Sequence, residues 1–582
     1  MTSAMSRLAP PTCSTYQSIT VIDDLHQRST QPSTRWLQPA TRLKNHALAS
    51  RRRSNQSIRM PTISAKSSPD RDQRTKAIAQ TVQSESIPAG DYYPGSNAWQ
   101  TVKQDEWQGE MEVQGEIPSW LDGTYLRNGP GYFEAGGKEF PHLFDGYSTL
   151  IRLNFNNSKL IAHHAQLQSE AYKAVKSSGK VSFREFAVTP KHNNVFEWMG
   201  EVAGIAMGTT LTDNANTGVI KLGDGRVVCL TETCKGSIQI NPDTLETIGQ
   251  FKYTDNLGGL IHAAHPYVDE NEMITLLPDL LNPGYTAVRM VAGTNERVPI
   301  GRVNCNGPQP GWVHSFAVTE NYIVVPEGPL RYSVRNLLKA EEAEYFKFEW
   351  LPESGAWIHI MDRFTGKIVT CVEVPNFVTF HFINGYEDVD ENGKPQIIVD
   401  CCEHHADPVI LKRMKLNELR SYPGKVLPDA RVGRFTIPLD GSKTGTLTAA
   451  VPIEEHGAGL DMNTINPVYT SKKYRYVYAC GASRPCNFPN TLTKIDLETK
   501  TAKNWHHPGG IPTEPFFVPR PGATEEDDGV LISLVSDDSG GGFILILNGS
   551  DFTELARADL PYGLPYGLHG CWVPGQSSRL RI

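Results

Sequence analysis

From about residue 100 onward the chain repeats one local theme: a short β-rich run, a polar turn and a second β-rich run, with no sustained heptads or long helical periodicity. That pattern restricts the body to an all-β fold. Four segments share a turn chemistry: SIQINPDTLETIGQF, WIHIMDRFTGKIVTCVEV, LTKIDLETKTAKNW and FILILNGSDFTELARADL each carry Asn, Asp or Gly at the strand exit and a Thr-containing turn before the return strand. Hairpins of this kind stacked radially make propeller blades, although their irregular spacing also fits a large β-sandwich. At 582 residues, with 50 Gly and 40 Pro, the chain exceeds one ordinary core and reads as one repetitive β body rich in turns.

Two segments depart from the theme. In NNVFEWMGEVAGIAMG, helical over about 193–207, Phe196, Met199, Val202 and Ala206 fall on one face. In SVRNLLKAEEAEYFKF, helical over about 333–346, Val334, Leu337, Leu338 and Tyr345 do likewise, with Lys339, Glu341 and Glu342 opposite. Apolar helix faces of this length are expected to pack as lids on the β body, with docking on a membrane surface as the second use.

The first 68 residues have a different composition. They carry eight arginines, abundant Ser and Thr, and only Asp23 and Asp24 as acids, with no apolar h-region. This is the composition of an organelle import leader, here read as a plastid transit peptide. Residues 69–98 read as a polar linker, and the folded body is expected from near Trp99 to residue 582. The formal charge of −8 offers no basic field for nucleic acid. Ten scattered cysteines without a CxxC pair point to a reducing compartment. No apolar run reaches the ~18 residues of a spanning helix. The strongest, GGFILILNG, reads as a strand.

Four of the 17 histidines sit in strand-like, aromatic or apolar settings: His265 in LIHAAHPYVD, His314 in GWVHSFAVTEN, His381 in FVTFHFINGYED and His569 in LPYGLHGCWVP. None has a partner at helical i, i+4 spacing, so an HExxH zinc site is absent, and a shared metal would need each from a different strand. The tandem pairs His163-His164, His404-His405 and His506-His507 are set aside, because adjacent strand residues face opposite ways. Neither a GxSxG elbow nor a strand-following GxGxxG fingerprint is present.

Taken with YLRNGPG, HLFDGY, LTDNANTGVIKLGDGRVVCLTE and EPFFVPRPGA, the histidine segments resemble the carotenoid cleavage oxygenase family, from about Trp99 to Pro574. The resemblance implies a seven-bladed β-propeller with a helical dome over the active-site face. It also implies Fe(2+) bound by His265, His314, His381 and His569, with Glu232 supporting His314 and Glu514 supporting His569. Where many relatives carry a third glutamate, GLDMNTINP offers Asp461, one methylene shorter, so its bond to His381 is expected to be longer, water-mediated or absent. HLFDGY also departs from the FDGDGM of better-known plant members, placing Tyr147 after Gly146.

The wording GGLIHAAHP, CCEHHAD and RYVYACGASRPCNFPNTLTK resembles one plant branch of the family. That branch implies oxidative cleavage of an apocarotenoid, 9-cis-10′-apo-β-carotenal, by O2 to carlactone, the precursor of strigolactones, in plastids and at times at a plastid membrane. The other readings are cleavage of a 9-cis-epoxycarotenoid or a C40 carotenoid on the same site, a non-catalytic carotenoid-binding propeller, and a non-oxidative isomerase.

Overall fold

In a computed structural model, which describes residues 96–206, 210–257, 261–339, 343–421 and 426–575, the four repeated segments are antiparallel hairpins. Each is closed by the side chain at the strand exit. Asn241 accepts the N–H of Asp243, Asp362 those of Phe364 and Thr365, Asp496 those of Glu498 and Thr499, and Asn548 those of Ser550 and Asp551. Four positions later each turn holds a left-handed residue: Leu245 (φ 60°), Gly366 (φ 70°), Lys500 (φ 58°) and Phe552 (φ 65°). The shared composition is therefore one Asx turn that hands the chain back in antiparallel register.

Seven larger sheets follow along the chain and form the blades of a propeller. Blades 2 to 6 are four-stranded antiparallel sheets in chain order, blade 4 carrying the two-stranded insertion Leu330–Tyr332 and Phe348–Trp350 between its second and third strands, and the ring is closed at both ends by exchange. Gly570–Pro574, near the C-terminal end, pairs with Gly123–Tyr132 in blade 1, while Val113–Gly115 pairs with Glu554–Asp559 in blade 7. Closing the circle this way ties first blade to last by main-chain hydrogen bonds. Between blades the facing sheets bury β-branched and aromatic side chains; Ile358, Ile360, Ile397, Val399, Phe435 and Ile437 are all solvent-free between blades 4 and 5. The run Gly542–Asn548 is a buried strand of blade 7, and among the described residues no helix is long and apolar enough to cross a membrane.

The dome is built from long connections carrying the helices Glu170–Ser178, Val195–Ala206, Val334–Leu338, Val409–Arg413 and Leu416–Leu419. The first is capped by the Ser169 hydroxyl on the N–H of Tyr172 and by the Asp213 carboxylate on those of Glu170 and Ala171, and it ends at left-handed Gly179. Tyr147, unexplained by sequence, is fully buried against the rings of Phe140 and Tyr172, so it seats this helix on blade 1.

Two expectations change. The segment read as helical over 333–346 is helical among the described residues only over Val334–Leu338; Phe346 is left-handed (φ 58°), and Tyr345 bridges to Phe348 instead of joining a helix face. Val195–Ala206 is a helix, but the apolar side chains of its first half are not packed on the body, while Val202 is half-buried. Val195, Phe196 and Met199 are 58%, 79% and 56% exposed, while Glu201 is buried in a bidentate pair with Arg184. Residues 340–342, the leader 1–68 and residues 69–95 of the expected linker lie outside the described residues. Ala98 and Trp99 are already buried in the dome core.

His142 fastens the dome to blade 1. Its Nδ1 accepts the N–H of Phe144 (3.1 Å), its Nε2 donates to the Leu411 carbonyl (2.8 Å), and its ring packs against Phe144, Phe186 and Phe346. Burial, partly offset by the Leu411 carbonyl, lowers its pKa to about 3. As pH falls below the unfolded value near 6.5, the unfolded chain takes up the proton first, so stability is whole above that pH and drains towards pH 3. Between pH 6.5 and 4.5, urea unfolding of the native protein should lose about 2–3 kcal/mol more than that of His142→Gln, at about 1.4 kcal/mol per pH unit.

Candidate metal centre

Every blade contributes one side chain to this centre: four histidines converge on a single point, and three carboxylates stand behind three of the rings. His569 immediately precedes Gly570–Pro574 of blade 1, His265 precedes Tyr267–Val268 of blade 3, His314 precedes Ala317–Val318 of blade 4, and His381 lies in Thr379–Val389 of blade 5. The remaining blades supply carboxylates: Glu232 from the turn after Val227–Leu230 of blade 2, Asp461 from Asp461–Thr464 of blade 6, and Glu514 after Ile511–Pro512 of blade 7.

One ring nitrogen from each histidine lies within 4.8 Å of the others, and neighbouring rings meet edge to face at centroid distances from 4.3 to 5.2 Å. Two nitrogens on opposite sides of one ion, each bonded at ~2.1 Å, stand about 4.2 Å apart, so the spread suits a single divalent ion. Three rings are oriented from behind. His314 Nδ1 donates to Glu232 (2.8 Å), His569 Nδ1 to Glu514 (2.8 Å) and His381 Nδ1 to Asp461 (2.5 Å). With Nδ1 so engaged, Nε2 carries the lone pair directed at the common point. The Nε2 atoms of His265 and His381 are buried with no hydrogen-bond partner, as unused ligand atoms would be. Among the described residues His265 has no carboxylate behind it; its main chain bridges to Ser315 instead.

The contact expected to be long, bridged or absent is direct. Asp461 reaches His381 directly from a stretch in which Met462 is left-handed (φ 56°) and the ladder to Tyr476–Gly481 is irregular between Asp461 and Thr464. The other carboxylate oxygen meets His404 Nε2 at 3.1 Å, and the Met462 N–H donates to Asp461 Oδ1 at 2.8 Å. Burial alone would raise the Asp461 carboxyl, but His381 and His404 outweigh it and hold it well below the usual range. His404, set aside in the sequence as half of a tandem pair, is thus a second brace for Asp461. Trp312 is another participant the sequence hid: its indole N–H donates to Glu232 at 2.7 Å, fixing the carboxylate that fixes His314.

The electrostatics favour metal binding. Burial, reinforced by its three imidazole neighbours, holds His265 well below its ordinary pKa. Burial lowers His569 to about 4 and lowers His314, against the opposing pull of Glu514 and Glu232. These imidazoles are neutral near pH 7 and offer lone pairs, as ligands must. On the dome side, His314, His381 and His569 line a largely apolar cavity walled by Phe144, Phe186, Trp312, Phe380, Phe488 and Leu568. On the far side His265, His381 and His569 line a wider channel with Phe316, Phe382 and Trp572.

A family model described as retinal pigment epithelial membrane protein matches residues 100–574. The chain belongs to the carotenoid oxygenase family. It is 61% identical over 480 residues to carotenoid cleavage dioxygenase 8 homolog B, chloroplastic, of Oryza sativa subsp. japonica, a match covering 82% of this chain and 84% of the relative. It is 58% identical over 515 residues to the chloroplastic carotenoid cleavage dioxygenase 8 of Arabidopsis thaliana, covering 86% and 90% of the two chains. The fold matches a cobalt-substituted apocarotenoid oxygenase from Synechocystis with a TM-score of 0.68 and 24% identity, over 83% of this chain and 99% of that one. The family is one of non-haem iron carotenoid cleavage dioxygenases, and the plant branch anticipated from the sequence is the one these relatives occupy.

Proposed function

We propose that the protein binds Fe(2+) through His265, His314, His381 and His569 and uses O2 to cleave 9-cis-10′-apo-β-carotenal, giving carlactone for strigolactone synthesis in plastids. The observation that carries this reading is the four-imidazole cluster opening onto an apolar cavity, in a chain 58–61% identical to two carotenoid cleavage dioxygenases 8. Neutral imidazole suits Fe(II), and these four residues would hold it. The bound ion supplies activation of dioxygen. The chain does the rest: Glu232, Asp461 and Glu514 hold three rings in one tautomer and orientation, and the aromatic walls exclude water and fix the double bond beside the metal. Chloroplastic relatives, together with the arginine-rich, acid-poor leader, support a plastid location.

The test is anaerobic Fe(II) reconstitution followed by mass analysis of products from 9-cis-10′-apo-β-carotenal, a C40 epoxycarotenoid and β-carotene under 18O2. Labelled carlactone from the apocarotenal is expected. Cleavage of only a C40 substrate would replace the substrate, an unlabelled rearrangement product would make the protein an isomerase, and failure to bind iron would leave a binding propeller.

The same reading includes peripheral docking on the membrane that dissolves the polyene. Val195, Phe196 and Met199 together with Val334, 42% exposed, form an apolar rim on adjoining helices, linked by the Trp198 indole N–H to the Leu338 carbonyl. Phe196→Asp with Met199→Asp should cut liposome co-sedimentation and turnover of vesicle-held substrate at least about 100-fold, since two large apolar side chains contribute roughly 1.5–3 kcal/mol each when buried, about 3–6 kcal/mol together, while turnover of detergent-dispersed substrate stays unchanged. Unaltered vesicle turnover would remove the docking claim.

A further inference from the structure

The cavity on the dome side of the metal centre contains one feature that cleavage of a hydrocarbon does not need. Among its described lining residues Lys347 is the only lysine or arginine, in walls that are otherwise mostly apolar or uncharged apart from Glu185, the metal-centre histidines and their carboxylates. Lys347 lies between Phe346, left-handed and buried, and the strand Phe348–Trp350, so its main chain is fixed on both sides. Its ammonium makes no hydrogen bond or ion pair with any described residue, and the Phe186 ring centroid is 5.7 Å from Nζ. Glu185 and Glu232 are its largest electrostatic neighbours, followed by Asp145, with Arg184 opposing. Their carboxylates are engaged elsewhere: Glu185 accepts the Thr212 hydroxyl, Glu232 holds His314 and Trp312, and Asp145 accepts the main chain of Ala187 and Val188.

Lys347 is half-buried, and a cation that faces a largely apolar cavity is costly unless something completes it. Lys347, Glu185 and Phe186 also line a second, smaller cavity bounded by Leu337 and Ala343, so these residues stand where the two spaces adjoin. A polyene running along the apolar cavity would leave the ammonium unpaired if it ended in a hydrocarbon. One ending in a carbonyl would place an acceptor oxygen there.

We propose that Lys347 is the positioning residue that receives the carbonyl end of the substrate, and that its ammonium N–H to carbonyl hydrogen bond selects carbonyl-terminated polyenes over hydrocarbons and sets which double bond lies beside the metal. This rests on the function proposed above. The selection is asymmetric by nature, because a site built to donate to a substrate oxygen rejects an analogue that lacks it more strongly than an apolar pocket rejects an added group.

The experiment compares the full chain with Lys347→Met, which keeps the apolar stem and removes the donors, and with Lys347→Arg, which keeps a charged donor. Anaerobic quenching of tryptophan fluorescence gives the affinity of each protein for 9-cis-10′-apo-β-carotenal and for the same polyene with a methyl group in place of the aldehyde. Lys347→Met should lose about 10- to 100-fold in affinity for the aldehyde, bind the hydrocarbon at least as well as the native protein, and raise KM more than it lowers kcat. Lys347→Arg should recover most of the loss. Equal weakening for both ligands, or unchanged aldehyde affinity, overturns the proposal. If Lys347→Met fails to fold, the native protein's own ratio decides: it should prefer the aldehyde by a similar factor, and equal affinity overturns the proposal. The binding ratio is independent of which product forms, so failure of the cleavage assay and failure of this inference remain distinct.

Discussion

His314→Ala should reduce both bound iron and turnover at least about 100-fold, since loss of groups behind a ligand typically already costs 10–100-fold. His314 offers one of four convergent nitrogens, and its removal also strands Glu232, which would keep only the Trp312 indole. The fold should survive, because the apolar clusters that pack blade 4 against its neighbours do not include His314. A readout apart from activity is the thermal midpoint with and without Fe(II) under anaerobic conditions. Ligand present at 100 times its Kd stabilises by about 2.7 kcal/mol, so the native midpoint should rise and that of His314→Ala should not. A variant that kept full iron and turnover would exclude His314 as a ligand.

Asp461 is expected to be almost as sensitive, and in a way that separates length from charge. Asp461→Asn keeps the size but presents an acceptor of neutral charge, so Fe(II) affinity and kcat/KM should fall about 10–100-fold. Asp461→Glu keeps the charge and adds one methylene, yet it should also lose about 10-fold. The aspartate already meets His381 at 2.5 Å and shares its second oxygen with His404, and an added methylene has no room without moving one of them. His404→Ala should give a smaller loss, because it frees only one of the carboxylate oxygens. Full activity in Asp461→Glu would mean that this main chain is looser than the bulge at Asp461 implies.

Several parts of this site were legible as residue types. The four histidines stood out because each sat in a strand-like, aromatic segment without a helical partner, and the carboxylates Glu232, Asp461 and Glu514 through the resemblance in their flanking words. The geometry of Asp461 was not legible. Side-chain length suggested a longer reach, but the contact is direct, made where Met462 is left-handed and the ladder irregular, a backbone feature that no local residue pattern announced. His404 was misjudged because strand alternation rules out two neighbours sharing one ion, not one of them bracing a carboxylate beside it. Lys347 and Trp312 gave no signal at all, since an isolated lysine or tryptophan in a mixed segment reads the same whether it faces solvent or a cavity.

The sequence by itself determined what is short-ranged: Asn or Asp at a strand exit captures main-chain N–H groups two and three residues on, so hairpins such as 357–374 and 492–505 are specified within their own few residues. Only the tertiary structure decided what depends on partners far away in the chain. The pairing of Gly570–Pro574 with Gly123–Tyr132 closes the ring and brings His569 to the other three imidazoles, across more than four hundred residues of sequence. The helix Val195–Ala206 makes the same point in reverse: its amphipathic period fixes that one face is apolar, but the buried Arg184–Glu201 pair decides that this face turns outward. Periodicity records a contrast between faces, and the packing of the whole chain sets which face meets the core.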